Sequence, residues 1–484
     1  MEMDAVPRHM WWYRLAILLA PALVLWRQDN PLFTPPGTTD SWVYLGYFRD
    51  LVNFKRDLFP DLYNGSRLPM LLPGWFVHSL LPPVAASVIL HLGVLWVASM
   101  ALFETLRQIA GARAAFLTVL LFCGNPQVWY AIGWDYFDGY CIAYCLIALA
   151  ALTHAAAGRG RIAPAVAGVA IAGLVYSNLI TVVFVPLLAL HYAGIARVCR
   201  RSLRDAWNAA IACAAAFGAV TAVLCYVNRM IDGTWWFYAP SLHTVQTLQH
   251  HNRWEQSPWT SHGLAPWLWV AAAAVVAAIV RLVRGMLRSA SAVAAVELVV
   301  LAAAYGYIQP VRMNVLGLPF YSALLLPFVF QVVGTSFWNS LATMSARRFV
   351  MCGGVASAGI AIVWSDYATA WTPLWPHAIP IVATLGGVLL ALAIMPRLRT
   401  VGALCGIAGL VLFASEIRYL PKRQNSTAEQ APPASDPHQN RRMLERVMDI
   451  RARIEAARAE RPVRFWYDAR DRLSDFTALN ATYL

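Results

Sequence analysis

The chain has 484 residues, of which 59% are hydrophobic and 13% charged, about half the roughly 25% charge of a soluble domain. Its net charge of +13 rests on arginine, since Lys55 and Lys422 are the only lysines. These figures exclude an ordinary soluble enzyme, a disordered chain and a disulfide scaffold, and they leave an all-α polytopic membrane protein.

Apolar runs near the roughly 20 residues that cross a bilayer predict about thirteen transmembrane helices. They lie at 11–26, 84–106, 114–131, 138–157, 162–178, 180–196, 208–228, 265–281, 291–308, 318–337, 349–365, 376–395 and 401–416. The first run could pass for a signal peptide. It lacks a small-residue cleavage site and is followed by Trp26-Arg27-Gln28-Asp29, so it reads as a retained anchor. If the spans alternate, Arg8/Arg14, Arg107/Arg113, Arg159/Arg161, Arg197 to Arg204, Arg281 to Arg288, Arg347/Arg348 and Arg397/Arg399 all fall on one side. The positive-inside rule makes that side cytoplasmic. The N-terminus is then cytoplasmic and the C-terminus extracytoplasmic, in what the arginine-rich composition suggests is a bacterial inner membrane. Under this reading the basic balance is topological, and nucleic acid is not expected as a partner. The eight cysteines form no CxxC pair and read as small core residues.

The long connections all fall outside: a first loop at 27–83, a second at 229–264, and the tail. Residues 1–416 form the bundle, 417–440 a Pro/Ser/Gln-rich linker, and 441–484 a small tail with a helical stretch over Arg441 to Glu460 and a short strand at Val463 to Tyr467. Function concentrates in loops on a rigid scaffold, so the outward face is the working surface. No internal repeat suggests an inverted-repeat transporter.

The first loop carries Asp40-Ser41-Trp42-Val43-Tyr44, then Tyr63-Asn64-Gly65-Ser66-Arg67-Leu68-Pro69. Thr39 or Asp40 can N-cap an amphipathic helix over Ser41 to Asn53 whose Trp42, Leu45 and Phe48 lie on the membrane interface. Equally, a carboxylate at that depth beside aromatic groups suits a general base for an acceptor hydroxyl. Trp134-Asp135-Tyr136-Phe137-Asp138-Gly139-Tyr140 is a second acidic site. A helix starting there presents Asp135 and Asp138 on one face, with capping as the ordinary alternative for one of them. The second outward loop holds Trp235-Trp236-Phe237-Tyr238, His243, His250, His251, Glu255 and His262. Its spacing matches no standard zinc pattern, and the aromatic cluster reads as an interfacial belt or as a platform for a sugar ring.

A short N-terminus, one span and a long outward loop with an early Asp resemble the GT-C class of membrane glycosyltransferases, nearest its protein O-mannosyltransferase and lipid A aminoarabinose transferase branch. The strings at Asp40 to Tyr44 and Tyr63 to Pro69 carry most of that resemblance, which covers roughly residues 1–416. The first loop departs from the usual family pattern in holding a single Asp at 40, without an acidic pair or an acidic-plus-His-Pro-Pro arrangement. The resemblance implies a GT-C-like bundle and transfer of a sugar from a polyprenyl-phosphate donor to an extracytoplasmic glycan, lipid or protein. Asp40 would act as base or acceptor-orienting carboxylate, with Asp135 or Asp138 assisting. The donor phosphate calls for a fixed cation, and Arg suits it by its bidentate fork; of the outward arginines Arg67, Arg229, Arg253 and Arg312, Arg67 and Arg312 are favoured because Pro69 and Pro310 fix the nearby backbone. Trp42, Tyr44, Tyr63, Trp236 and His251 would line the substrate, and a divalent cation is possible. The competing classes are a lipid or glycan transporter or flippase and a non-catalytic envelope-assembly subunit. A transporter needs ionisable groups near the midplane; Glu104 and Glu297 lie in or at the ends of spans, Asp205 sits in a basic turn, and no chain of such groups crosses the bilayer.

Overall fold

The computed structural model describes residues 10–27, 39–251, 268–283, 289–311, 315–316 and 319–336, with short stretches at 345–348, 350–351, 399, 448–450, 452–454 and 456–457. Among them every regular element is helical. In chain order these are α1 (Met10–Arg27), α2 (Thr39–Arg49), α3 (Leu51–Asn53), a π-helical turn (Phe54–Leu58), a 3₁₀ turn (Tyr63–Ser66), α4 (Leu68–Leu80), α5 (Pro83–Ala110), α6 (Ala112–Cys123) and α7 (Pro126–Ile132). There follow α8 (Phe137–Ala156), α9 (Ala163–Ser177), a 3₁₀ turn (Leu179–Val183), α10 (Phe184–Val198), α11 (Leu203–Asp232), α12 (Ala239–His251), α13 (Leu268–Val283), α14 (Ala290–Val311), α15 (Pro319–Ser322), a 3₁₀ turn (Ala323–Leu325) and α16 (Leu326–Ser336).

Helical structure stands at the first ten expected spans. Five segments are long and apolar enough to cross a membrane: Pro83–Ala110, Phe137–Ala156, Leu179–Val198, Leu203–Asp232 and Ala290–Ile308. The expected spans at 349–365, 376–395 and 401–416 lie almost wholly outside the described residues, as do the linker and most of the tail. α11 shows most directly what solvent the fold is built for. In its 30 residues only Leu224 and Asn228 are buried, while Ile211, Val223, Tyr226 and Met230 stand exposed. An apolar helix with so little covering has lipid as its neighbour.

The core sits around α8, buried along almost its whole length and packed against α5, α9 and α10. Twenty residues at 1.5 Å each make α8 about 30 Å long, so its ends define two faces of the bundle. Arg107, Arg159 and Arg201 gather at the C-terminal end, where Arg201 Nε donates to the Ala156 carbonyl at 3.1 Å. The first-loop residues gather at the N-terminal end. Within the bundle His191 Nδ1 lies 2.9 Å from Glu297 Oε1, and its Nε2 lies 2.8 Å from the Thr153 hydroxyl. This fastens α10, α14 and α8 through an otherwise apolar layer. Cys123, Cys141 and Cys145 are buried free thiols, and Cys199, Cys213 and Cys225 are half-buried free thiols; Cys352 and Cys405 fall outside the described residues.

Three local expectations are corrected. The run at 114–131 is broken: Gly124 ends α6, and Asn125 restarts the chain as α7 by accepting from the Gln127 amide at 2.8 Å, with Pro126 in the first turn. The first loop is a folded layer of short helices. Leu45 and Phe48 do not lie on a membrane interface but are buried, like all of Val43 to Phe48, with α2 packed on α4. Asp135 and Asp138 do not share a helical face, because Tyr136 is extended (φ −143°, ψ 169°) and α8 begins only at Phe137.

This layer is clamped to the bundle. Lys55, 2% exposed, lies 3.1 Å from Asp232 at the end of α11. Burial pulls the Lys55 ammonium below its ordinary lysine value, and Asp232 opposes that pull. Asp232 also accepts from the Asn228 amide and from the backbone and hydroxyl of Thr234. Gly233, at φ 83°, supplies the left-handed residue that ends α11. Asp232→Asn is expected to cost about 3 kcal/mol, since it strands a buried ammonium. Lys55→Met is expected to cost less, because Asp232 keeps its other donors. Thermal unfolding of both variants in detergent checks the order.

Candidate functional site

Four segments distant in sequence meet at the N-terminal end of α8. Asp40 lies in the first turn of α2, half-buried, where the free N–H groups of the helix favour a carboxylate. Its Oδ2 accepts from the Tyr63 and Tyr136 hydroxyls, each at 3.3 Å. Tyr63 opens the 3₁₀ turn, and Tyr136 stands immediately before α8. Burial pushes both phenols above the ordinary tyrosine value, so at neutral pH each keeps its proton and donates to Asp40.

Arg67 lies between the 3₁₀ turn and α4 and is 7% exposed. Its Nη1 donates to the Tyr44 hydroxyl. Its guanidinium carbon lies 4.6 Å from the Phe137 ring centre, 5.1 Å from Tyr63, 5.5 Å from Tyr44 and 5.9 Å from Tyr136. Ring faces attract a cation by about 0.5–2 kcal/mol each. Among the described residues no carboxylate lies at ion-pair distance from Arg67, whose strongest electrostatic neighbours are the phenols of Tyr44, Tyr136, Tyr63 and Tyr321. Buried arginines are normally matched by an anion. Here an arginine that cannot shed its proton is held by rings and one hydroxyl, leaving most of its donors for an anion from elsewhere.

The turn that presents Arg67 is itself fixed. Asn64, Gly65 and Ser66 are buried. The Ser66 hydroxyl donates to the Tyr63 carbonyl at 2.6 Å and meets the Ser241 hydroxyl on α12. The chain entering α12 is anchored where Tyr238 donates to the Val175 carbonyl at 2.9 Å, with Phe237 and Tyr238 packed edge-on against Tyr176.

Of the residues expected from sequence, Asp40, Tyr44, Tyr63 and Arg67 are brought together. Asp138 is fully buried near this cluster, within electrostatic reach of Arg67, and takes the Trp134 indole N–H at 3.0 Å. Asp135, also fully buried, pairs instead with His91 on α5, at 3.0 Å. Trp236 is 46% exposed and leans on Phe237, with ring centres 6.0 Å apart. The backbone of Trp42 lies in α2 and that of His251 at the end of α12, but their side chains lie outside the described residues, as does Arg312. His243 is exposed. Among the described residues no group of three His, Cys, Asp or Glu is arranged to hold a metal ion.

Sequence reasoning passed over Tyr136 and Phe137 as site members, although both lie in the string that named Asp135 and Asp138. The available signal was their place directly before a helix, where aromatic side chains at the start of α8 point back over the preceding turn.

Tyr63→Phe and Tyr136→Phe each remove one donor from Asp40 and leave the ring facing Arg67. Each is expected to slow the chemistry at this site about tenfold, a hydrogen bond to a charged group being worth about 1.5–3 kcal/mol, with unfolding temperature little changed. Initial-rate measurements beside melting curves check both.

No family model matches this chain, and no curated protein matches it.

Proposed function

We propose that this protein is a membrane glycosyltransferase of GT-C type, moving a sugar from a polyprenyl-phosphate carrier to an extracytoplasmic acceptor. The observation that carries the reading is a half-buried carboxylate, Asp40, and a buried arginine with no carboxylate at ion-pair distance among the described residues, Arg67, which share one cluster of aromatic rings at an end of the bundle. Transfer from a lipid phosphate needs both parts: a base that takes the proton from the acceptor hydroxyl, and a fixed cation that stabilises the phosphate as it leaves. Tyr44, Tyr63, Tyr136 and Phe137 exclude water around the cation and offer faces for a sugar. Asp138 serves as a further acidic group behind Arg67.

The Arg-rich end of α8 then faces the cytoplasm and the Asp40 end faces outward, as expected for an enzyme of a bacterial inner membrane. Glu104 and Glu297 support a transporter less well, because each is paired in place, with Arg14 and Arg107 and with His191 respectively. The test is consumption of a panel of polyprenyl-phosphate sugars by the purified protein in nanodiscs, with a membrane extract as acceptor. Wild-type consumption is expected. A well-folded protein that consumes no donor, but moves lipid-linked sugar across a reconstituted bilayer, would replace the reading with a flippase.

A further inference from the structure

At the end of α8 opposite the Asp40 site, α5, α8 and α9 frame an open, shallow groove of about 680 Å³ on the surface of the bundle. Val97, Ala101, Ile147, Ala151 and Val166 line its length, and the polar groups sit at one end. Glu104 there is fully engaged: Arg14 Nη2 reaches Oε1 at 2.6 Å, and Arg107 reaches Oε2 through Nη2 at 2.6 Å and Nε at 3.0 Å. His154 Nε2 lies 3.9 Å from the same carboxylate. Arg107 therefore keeps Nη1 free. Arg159, half-buried in the turn after α8, makes no side-chain hydrogen bond or ion pair among the described residues. The charge at the head of the groove is three arginines against one glutamate.

We propose that this groove is a specific site for one anionic diacyl phospholipid, its phosphate held by Arg159 and Arg107 Nη1 and an acyl chain laid along the wall from Ala151 to Val97. Two observations select this occupant. The walls are apolar, and two of the three helices that form them, α5 and α8, are long and apolar enough to cross a bilayer while α9 is a shorter apolar helix, so the filling group is hydrocarbon. The cation excess stands at the mouth alone, so the head is an anion; a zwitterionic head would bring its own positive charge against Arg159. The volume falls in the range of built ligand pockets, about 300–1,000 Å³. This site is separate from the Asp40 pocket, and the proposal does not depend on the activity proposed there.

The experiment is native mass spectrometry of the full chain, released from nanodiscs holding equal phosphatidylglycerol and phosphatidylcholine. Retention of one phosphatidylglycerol per chain, in preference to phosphatidylcholine, is expected. Arg159→Gln should lower that retention about fivefold, the effect of one surface cation on an anionic lipid, and Arg159→Lys should restore most of it. Ala101→Trp, which fills the groove, should remove both lipids; a melting curve establishes that the variant is folded. Equal retention of the two lipids by the wild type, or retention of phosphatidylglycerol unchanged by Arg159→Gln, overturns the site.

Discussion

Asp40→Asn is expected to lower transfer by about 10²–10⁴-fold, the usual contribution of a positioned general base, while leaving the fold intact. The substitution is nearly isosteric. Both tyrosine hydroxyls donate to one oxygen, Oδ2, and an asparagine amide oxygen in that place accepts the same two bonds. What is lost is the charge and its ability to take a proton. The variant also separates the two roles read for this residue. In the first turn of α2 the charge itself is worth about 0.3–1 kcal/mol against the free N–H groups, so a residue that only starts α2 would tolerate the change with a small loss. The rate should fall with donor KM within a few-fold of wild type and unfolding temperature little changed, since the proposed mechanism assigns the phosphate to Arg67 and not to Asp40. Initial rates at saturating donor, read beside a melting curve, decide it. A folded Asn variant at full rate would end the case for Asp40 as base.

The positions of the long helices were legible because hydropathy and punctuation agree there. Pro82 precedes α5, Pro83 opens it and Gly111 follows it; Ser202 caps α11 by accepting from the Asp205 amide, and Gly233 ends it. Where the two signals disagree, hydropathy misled. The run at 114–131 is apolar throughout, yet Asn125-Pro126 stops one helix and starts another, because backbone conformation follows the cap and the missing N–H and not the burial. The Asp135–Asp138 pairing failed for a related reason. Spacing of three places two residues on one face only inside a helix, and Tyr136 holds the chain extended between them. The carboxylates accordingly find different partners, His91 and Trp134.

The site was half legible. Asp40, Tyr44, Tyr63 and Arg67 could be singled out as polar and aromatic residues crowded into one short segment of the chain. That Arg67 is matched by rings instead of a carboxylate could not be read, since Phe137 and Tyr136 reach it from 69 or 70 positions along the chain. The ring set around Arg67 is assembled only once the bundle has folded, and no local pattern encodes that.

Arg67→Met is therefore the variant that tests the pocket itself, and its effects on stability and activity should diverge. Removing one member of a matched buried ion pair costs about 3–5 kcal/mol, because the other charge is stranded. Among the described residues no carboxylate at ion-pair distance is stranded here: the direct contacts of Arg67 are neutral rings and the Tyr44 hydroxyl, with Asp138 at longer electrostatic reach. The variant loses cation–ring attraction, about 0.5–2 kcal/mol per ring, and regains the several kcal/mol by which a buried, uncompensated charge burdens the free protein. Free of donor, the protein should unfold within a few degrees of wild type. Binding should behave in the opposite way. A short-chain polyprenyl phosphate at 100 times its Kd raises wild-type stability by about 2.7 kcal/mol, and that gain should vanish in Arg67→Met together with transfer. Arg67→Lys should recover part of the ligand-induced stabilisation, since a point charge still attracts phosphate, but little of the rate, since the planar fork that fixes its orientation is gone. A large loss of stability without ligand would mean that Arg67 is a structural post. An unchanged ligand-induced shift would place the phosphate elsewhere, with Arg312 the next residue to replace.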